Sequence, residues 1–170
     1  TPIPGIDDLA ISITGVQRFR PGFTASYSIH YLNRGTTTQN AVIALVPDSV
    51  LIYQSANPAP TSTGADSVFW NILLAPGQQG TISVSVQVPL GTPLGTTLYS
   101  TCHITPLLSD STQNDNTSIA DDIVTGSYDP NDKSVPDTIV LTSSLSDPAY
   151  LDYVIRFQNT GTDTAFNIFV

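Results

Sequence analysis

The chain has no glutamate, a single cysteine and a single lysine, and these shortages exclude several kinds of protein. The lone Cys102 cannot form an internal disulfide. Only five basic residues stand against 14 acidic ones, for a formal net charge of −9. This balance argues against a nucleic-acid partner, because clustered Lys and Arg bind phosphate backbones. No apolar run approaches the roughly 18 residues of a membrane helix, so we expect no membrane insertion.

All 14 acidic residues are aspartates, and this bias indicates the type of secondary structure. Glutamate favours helix interiors, whereas aspartate bonds to its own backbone in turns and ligates hard cations. The 13 prolines and 11 glycines are spread along the chain rather than clustered. The composition therefore indicates a globular chain of strands and turns.

Alternation of apolar and polar residues predicts a series of strands. They fall at residues 9–13, 23–31, 41–46, 67–72, 80–88, 96–105 and 117–125, with turn residues between them and no helical period. This spacing predicts an all-β, immunoglobulin-like antiparallel β-sandwich over residues 7–125. The side chains expected on inward faces are Phe23, Ala25, Tyr27, Ile29, Tyr31, Leu98, Cys102 and Ile104.

An internal repeat with a period of 126 residues links the two ends of the chain. The turn Asn159-Thr160-Gly161 falls on Asn33-Arg34-Gly35, and Ile155 falls on Ile29 in the same register. Apolar matches on one face, followed by the same turn at the same distance, indicate a second copy of one structural unit. We therefore predict a complete module at residues 1–126, followed by a linker and the first strands of an incomplete module at 127–170.

The incomplete second module would end on an apolar strand at residues 165–170. Such a strand leaves backbone donors and acceptors unpaired on an aggregation-prone edge. We therefore expect that the chain is a portion of a longer protein, or that its last strands pair with another copy by strand addition.

Two stretches resemble known families. Residues 21–125, with Pro21-Gly22-Phe23, Phe69-Trp70-Asn71-Ile72 and Leu74-Ala75-Pro76-Gly77, resemble a repeat module of bacterial surface proteins. Residues 126–170, with Gly126-Ser127-Tyr128-Asp129-Pro130 and Asn159-Thr160-Gly161, resemble a module that commonly precedes the sorting domain of Bacteroidota proteins exported by the type IX system. The resemblance implies a secreted or cell-surface protein with a stalk, spacer or adhesin role, whose partners are neighbouring modules and a surface ligand or glycan.

The resemblance implies nothing catalytic, and the residues agree. The sequence contains no nucleophile elbow, no phosphate loop and no carboxylate pair beside a base. Two other functions remain open. A carbohydrate-binding module of a secreted hydrolase would need Trp70, Tyr53 and Tyr99 in an exposed aromatic row, whereas a filament subunit would be completed by a strand from a neighbouring chain.

A calcium site is predicted where the two modules join. Asp129, Asn131 and Asp132 lie in a short extended linker, and calcium takes six to eight oxygen ligands. Asp121 and Asp122, or Asp7 and Asp8, would complete the shell. The alternative is a solvated Asx-turn linker. The loop at residues 109–116 is also rich in oxygen ligands, but it is interpreted more simply as a mobile hairpin tip.

Five Asp-Ser or Asp-Thr pairs, each followed by a small or β-branched residue, resemble the O-glycosylation acceptor pattern of Bacteroidota. The resemblance implies modification at Ser49, Ser67, Ser111, Thr138 and Thr164. The same pattern also describes a turn that enters a strand, and this alternative stays open.

Overall fold

The computed structural model describes residues 5–106, 109–127, 132–134, 154–156 and 158–164. The chain divides into two units, Thr1–Thr125 and Gly126–Val170. Within the described ranges the only helical segment is a 3₁₀ turn of three residues, Gln113–Asp115, and no helix there is long and apolar enough to cross a membrane. Strands form the rest of the regular structure.

Four antiparallel strands form the first sheet of unit 1, in the order β1-β2-β7-β4. Strand β2 lies between β1 and β7, and the alternation of its sequence buries most of one face. The bounds are β1 Leu9–Gly15, β2 Thr24–Asn33, β4 Ile52–Asn57 and β7 Gln79–Gln87.

Five antiparallel strands form the second sheet of unit 1, in the order β5-β6-β3-β8-β9. Their bounds are β3 Gln39–Val46, β5 Ser62–Thr63, β6 Val68–Leu74, β8 Thr97–Thr105 and β9 Thr117–Ile123. Together the two sheets confirm the prediction of an all-β, immunoglobulin-like sandwich.

One hydrophobic core, drawn from both sheets, holds unit 1 together. Ala25, Tyr27 and Ile29 of β2 are fully buried, as are Leu98 and other alternate residues of β8. Trp70 and Cys102 also lie in this core, as predicted. Each fully buried Val, Leu, Ile or Phe side chain contributes about 1.5–3 kcal/mol to folding, so the core supplies the main driving force.

Phe23 does not belong to the core, contrary to the prediction, because its side chain is 62% exposed. The strand begins one residue later, at Thr24. Phe23 still belongs to the preceding turn, in which its N–H donates to the carbonyl of Arg20 at 3.0 Å. Tyr31, predicted inward, is only partly buried and packs against the rim of the core.

Two strands of unit 1 were absent from the sequence prediction. Strand β4 lies at an edge of the first sheet, none of its six residues is buried, and its register against β7 shifts between Tyr53 and Ser55. Strand β5 has only two residues, both exposed. Alternation reveals a strand only when one face is buried, so it could not detect either of these edges.

Unit 2 contains a two-stranded antiparallel sheet, made of β10 Asp132–Ser134 and β11 Val154–Arg156. Lys133 is paired with Ile155 in the same way that Ile13 is paired with Ile29 in unit 1. The pairing of β1 with β2 is thus repeated. The predicted final strand, with Phe166, Ile168 and Val170, lies outside the described residues.

The Asn-x-Gly turn has the same hydrogen bonds in both units. Asn33 Oδ1 accepts the N–H of Gly35 at 2.9 Å, and Asn159 Oδ1 accepts that of Gly161 at 3.0 Å. Each asparagine also donates from Nδ2 to the carbonyl four residues later, at 2.8 Å for Asn33 and 2.6 Å for Asn159. The sequence repeat is therefore a repeat of local structure.

A threonine next to each turn joins it to the segment before the first strand. Thr36 donates its N–H to the carbonyl of Ile6 at 2.7 Å and accepts the N–H of Ile6 on Oγ1 at 3.0 Å. Thr162 makes the same pair of bonds to Gly126, at 2.9 and 3.3 Å. In each unit, this pair of hydrogen bonds fixes the backbone segment that precedes the first strand.

Candidate metal centre

The Asn33 turn holds Asp8 in place at the entry to β1. The carbonyl oxygen of Asp8 accepts hydrogen bonds from the N–H groups of Arg34 at 2.7 Å and Gly35 at 3.1 Å. Because its backbone is fixed in this way, Asp8 presents its side chain from a rigid position. The next residue, Leu9, begins β1 and is buried in the core.

The connection between β8 and β9 brings further acids to the same place. Asp110 is only 8% exposed. Its Oδ2 accepts the N–H of Leu9 at 2.7 Å and Nδ2 of Asn116 at 3.0 Å, and its Oδ1 accepts the N–H of Thr112 at 2.8 Å. Leu9 and Asp110 are 101 positions apart in the sequence, so the carboxylate joins two distant parts of the chain.

The carboxylates of Asp8, Asp110 and Asp115 form a compact group. Each offers one oxygen, and these three oxygens lie within 4.8 Å of one another. The guanidinium of Arg34 contacts this group, with Nη1 at 2.5 Å from Asp115 Oδ2. Three negative charges beside one positive charge leave a local charge of −2 when all the carboxyls are ionised.

Three oxygens of this group are buried and have no hydrogen-bond partner among the described residues. They are Oδ1 of Asp8, Oδ1 of Asp115 and Oδ1 of Asn116. Asn116 is fully buried, and its Nδ2, bonded to Asp110, keeps the amide against the carboxylates. An acceptor in this situation costs free energy unless a proton or a cation satisfies it.

Burial raises the pKa of Asp8, and the neighbouring charges of Asp110 and Asp115 raise it further. Arg34 and a hydrogen bond from Ser111 act in the opposite direction but do not reverse the shift. The ionised form of Asp8 is thus disfavoured while no further cation is present. The group can bind a divalent cation through oxygen ligands, or it can retain a proton.

Most of the predicted junction site falls outside the described residues. Asp129 and Asn131 are outside the described residues, and Asp132 lies in β10. Asp122 lies near the far end of β9 from the 109–116 loop, about 16 Å along the strand at about 3.3 Å per residue. The structure therefore does not bring Asp122 to the Asp8 group, and the calcium site at the junction stays a prediction.

The 109–116 loop differs from the interpretation as a mobile hairpin tip. Asp110 and Asn116 are buried polar residues, and the 3₁₀ turn at Gln113–Asp115 shapes the loop between them. The run of Asp, Asn, Ser and Thr side chains is rich in oxygen ligands, but the loop was interpreted as a hairpin tip rather than as an ion site. Its contact with Asp8 depends on the sandwich closing, which no local pattern reveals.

The candidate glycosylation sites differ in accessibility. Ser49, Ser111 and Thr164 are exposed, Ser67 is half-buried, and Thr138 lies outside the described residues. Ser49 and Ser67 line one open cleft of about 620 Å³. Glycosylation of these residues stays a prediction.

The exposed aromatic row expected for a carbohydrate-binding module does not form, because Trp70 is 2% exposed. Its Nε1 donates to the carbonyl of Pro58 at 3.0 Å, so the polar edge of the ring is also satisfied. Tyr53 and the exposed Tyr99 remain, and both line the 620 Å³ cleft together with Asp48 and Asp66.

Cys102 and the two histidines are the side chains in the described ranges whose chemistry is most often used in catalysis. Burial raises the pKa of Cys102 to about 12, so its thiol stays protonated at neutral pH. His30 and His103 each share a hydrogen bond with a threonine on a neighbouring strand, Thr81 and Thr117 respectively.

Known proteins resemble the chain in two ways. A domain of unknown function, DUF7619, matches residues 129–170. The crystal structure of a CARDB domain from Pyrococcus furiosus, in complex with di-metal ions, has a TM-score of 0.52 at 14% identity and covers 73% of this chain and 93% of its own. The solution structure of that domain has a TM-score of 0.49 at 16% identity, covering 70% and 95%.

The major pilin subunit of Bacillus cereus is also similar, with a TM-score of 0.46, 11% identity, and coverage of 90% of this chain and 55% of the pilin. No curated protein matches the chain. The likeness to the CARDB crystal structure shows the fold alone, and with the DUF7619 match it fits an immunoglobulin-like repeat module.

Proposed function

We propose that the chain is a pair of non-catalytic, immunoglobulin-like repeat modules that act as a spacer or stalk in a secreted or cell-surface bacterial protein. One observation carries the proposal: both units use the same Asn-x-Gly turn and the same pairing of their first strands. Tandem copies of one unit extend a protein in steps of constant length, which is the property that a stalk requires.

The physical properties of unit 1 support this role. Its single core, drawn from two sheets, gives it the stability to stand as a separate body in a row of modules. The Bacteroidota origin and the export through the type IX system belong to the same proposal, and their support is the sequence of residues 126–170. An adhesive role would require a ligand in addition.

Module replacement in the native surface protein tests the spacer role. Deletion of these residues should bring the outer domains closer to the cell and reduce their access to a large soluble probe. Replacement by two unrelated immunoglobulin-like modules of similar length should restore that access. If access returns only with the original modules, their own surface is needed, and the spacer role is wrong.

A second candidate is glycan binding at the 620 Å³ cleft, where exposed Tyr99 and half-buried Tyr53 lie near Asp48 and Asp66. Tyrosine rings stack on sugars, and carboxylates accept hydrogen bonds from sugar hydroxyls. A glycan array probed with the native chain and with Tyr99→Ala tests it. Binding that disappears in the variant supports the lectin role, and no binding by the native chain excludes it.

A further inference from the structure

We propose that Asp8, Asp110, Asp115 and Asn116 bind one calcium ion between the start of β1 and the connection from β8 to β9. Two independent observations support the site. Three carboxylate oxygens lie within 4.8 Å of one another, and the fully buried Asn116, whose Nδ2 donates to Asp110, has an Oδ1 with no hydrogen-bond partner among the described residues. This site lies within unit 1 and is separate from the predicted site at the junction.

The identity of the ion follows from the ligands, which are all oxygens. Zinc prefers nitrogen and sulfur ligands, and neither a histidine nor a cysteine belongs to the described group. Magnesium demands near-ideal octahedral geometry and usually takes one or two carboxylates plus several waters. Calcium accepts several carboxylates and an amide oxygen in irregular geometry, at about 2.3–2.6 Å from each ligand.

The spacing of the oxygens fits one calcium ion. Two ligands on opposite sides of calcium are about 4.6–5.2 Å apart, which is twice the metal–oxygen distance. The three carboxylate oxygens are all within 4.8 Å of one another, so no pair of them is too far apart to bind the same ion. Asn116 Oδ1 and water molecules would add further oxygens.

The charges fit calcium as well. Arg34 leaves the three carboxylates with a local charge of −2, and a divalent cation neutralises it. Asp110 already accepts three hydrogen bonds, so its role is mainly to hold the loop against Leu9, and it can offer one remaining lone pair. Asp8 and Asp115 each keep a free buried oxygen for the ion.

The ion would fasten together parts of the module that are distant in the sequence. Asp8 lies beneath the Asn33 turn, whereas Asp115 and Asn116 precede β9. Calcium would therefore fix the entry of the chain into the sandwich to the loop that leads into its last strand. The inference does not depend on the spacer role, because a module with any function can carry such a site.

Titration calorimetry of calcium into the whole, metal-free chain tests the site directly. We expect a dissociation constant of ~10⁻⁴–10⁻³ M, as in extracellular calcium modules, and at least tenfold weaker binding of magnesium. A hundredfold excess of calcium over that constant should shift the folding equilibrium about a hundredfold toward the folded state, seen as a higher melting temperature. No calcium binding by the native chain at 10-fold above that range, about 10⁻² M, would overturn the proposal.

Three variants locate the ion. Asp8→Asn and Asp115→Asn keep the side-chain shape and remove a charge, so each should weaken calcium binding at least tenfold. Asp66→Asn, a change at an exposed acid in a turn, is the matched control and should bind as the native chain does. Melting curves in chelator confirm that each variant is folded before binding is measured.

The same series separates this site from the junction. A double variant, Asp129→Asn with Asp132→Asn, should retain full calcium binding. If the double variant loses binding while Asp8→Asn and Asp115→Asn retain it, the ion binds at the junction and our proposal is wrong. If a variant at Asp8 or Asp115 does not fold, terbium is bound to the native chain instead. A loss of terbium luminescence as calcium is added then measures the binding of calcium to the site.

Discussion

Ser100 Oγ donates a hydrogen bond of 3.0 Å to the hydroxyl of Tyr27, and this bond joins the two sheets inside the core of unit 1. Ser100 lies on β8 and Tyr27 on β2, and both side chains are fully buried. Ser100 Oγ also accepts the N–H of Asp48 at 3.0 Å. Burial raises the pKa of Tyr27 to about 12, so the phenol stays neutral inside the core at neutral pH.

We predict that Ser100→Ala destabilises the chain by about 1–3 kcal/mol, because the change leaves the Tyr27 hydroxyl and the Asp48 N–H without their partner. Tyr27→Phe should cost less, about 0.5–1.5 kcal/mol, since Ser100 then keeps its bond to Asp48. Urea unfolding measures both changes. Thr101→Ala, at the neighbouring half-buried residue, is the control, and equal losses in all three variants would contradict the prediction.

The second prediction concerns Asn33, whose buried side-chain amide forms hydrogen bonds with three backbone groups. It accepts from Gly35 and donates to the carbonyls of Thr37 and Leu74. Asn33→Ala should cost at least about 1–3 kcal/mol, and Asn33→Asp should cost more, because a carboxylate would face two carbonyl oxygens. Thermal unfolding near pH 7 tests whether Asn33→Asp is the less stable of the two variants. A change at the exposed Asn71 provides a control, and equal stability of the Asn33→Asp and Asn33→Ala variants would contradict the prediction.

Much of the fold could be predicted from the sequence because one face of each main strand is buried. Ile29 shows this clearly, because it is fully buried on β2 and pairs with Ile13, a buried residue of β1. Burial on one face imposes the alternation that the sequence shows. The edge strand β4 lacks that constraint and was missed.

The candidate site was predicted only in part. The oxygen-rich 109–116 loop was noticed, and Asp8 was named as a ligand for a different place in the chain. What brings Asp8 to Asp110 is the hydrogen bond between Leu9 and Asp110, made by residues 101 positions apart. A contact of this kind follows from the way the two sheets close on one core, which alternation does not specify.

Cys102 gives a third prediction, on chemical reactivity. The thiol is fully buried, and burial raises its pKa to about 12. Because thiolate is the reactive form, a thiol reagent at pH 8 should modify the folded chain only when the module opens. For a domain with a stability of about 5 kcal/mol, this slows the reaction roughly 10³-fold or more relative to the unfolded chain.

The absorbance of a chromogenic disulfide reagent measures this rate, with and without concentrated urea. Ile29→Ala should speed the reaction of the folded chain, because truncation of a buried aliphatic residue costs about 2–5 kcal/mol and makes opening more frequent. Equal rates in buffer and in urea would show that the thiol is accessible.

The last prediction concerns Asp122 and the dependence of stability on pH. Its carboxylate lies against Gly15 of β1, where any added Cβ would be 2.5 Å from Asp122 Oδ1, and its Oδ2 has no hydrogen-bond partner in the described part of the chain. Burial, and then the charge of Asp121, raise the pKa of Asp122. The folded state therefore holds the proton more tightly than the unfolded state, whose pKa is about 3.9.

The sign of the pH effect follows from that difference. Above the folded pKa the ionised carboxylate destabilises the fold, and as pH falls toward about 3.9 the proton that binds removes this penalty. Asp122→Asn carries no charge at this position at any pH. It should therefore melt at a higher temperature than the native chain at pH 7, and the two should converge near pH 3. Asp66→Asn, at an exposed acid, should show no such convergence. If Asp122→Asn is instead less stable than the native chain at pH 7, the ionised carboxylate has a stabilising partner and the prediction is wrong.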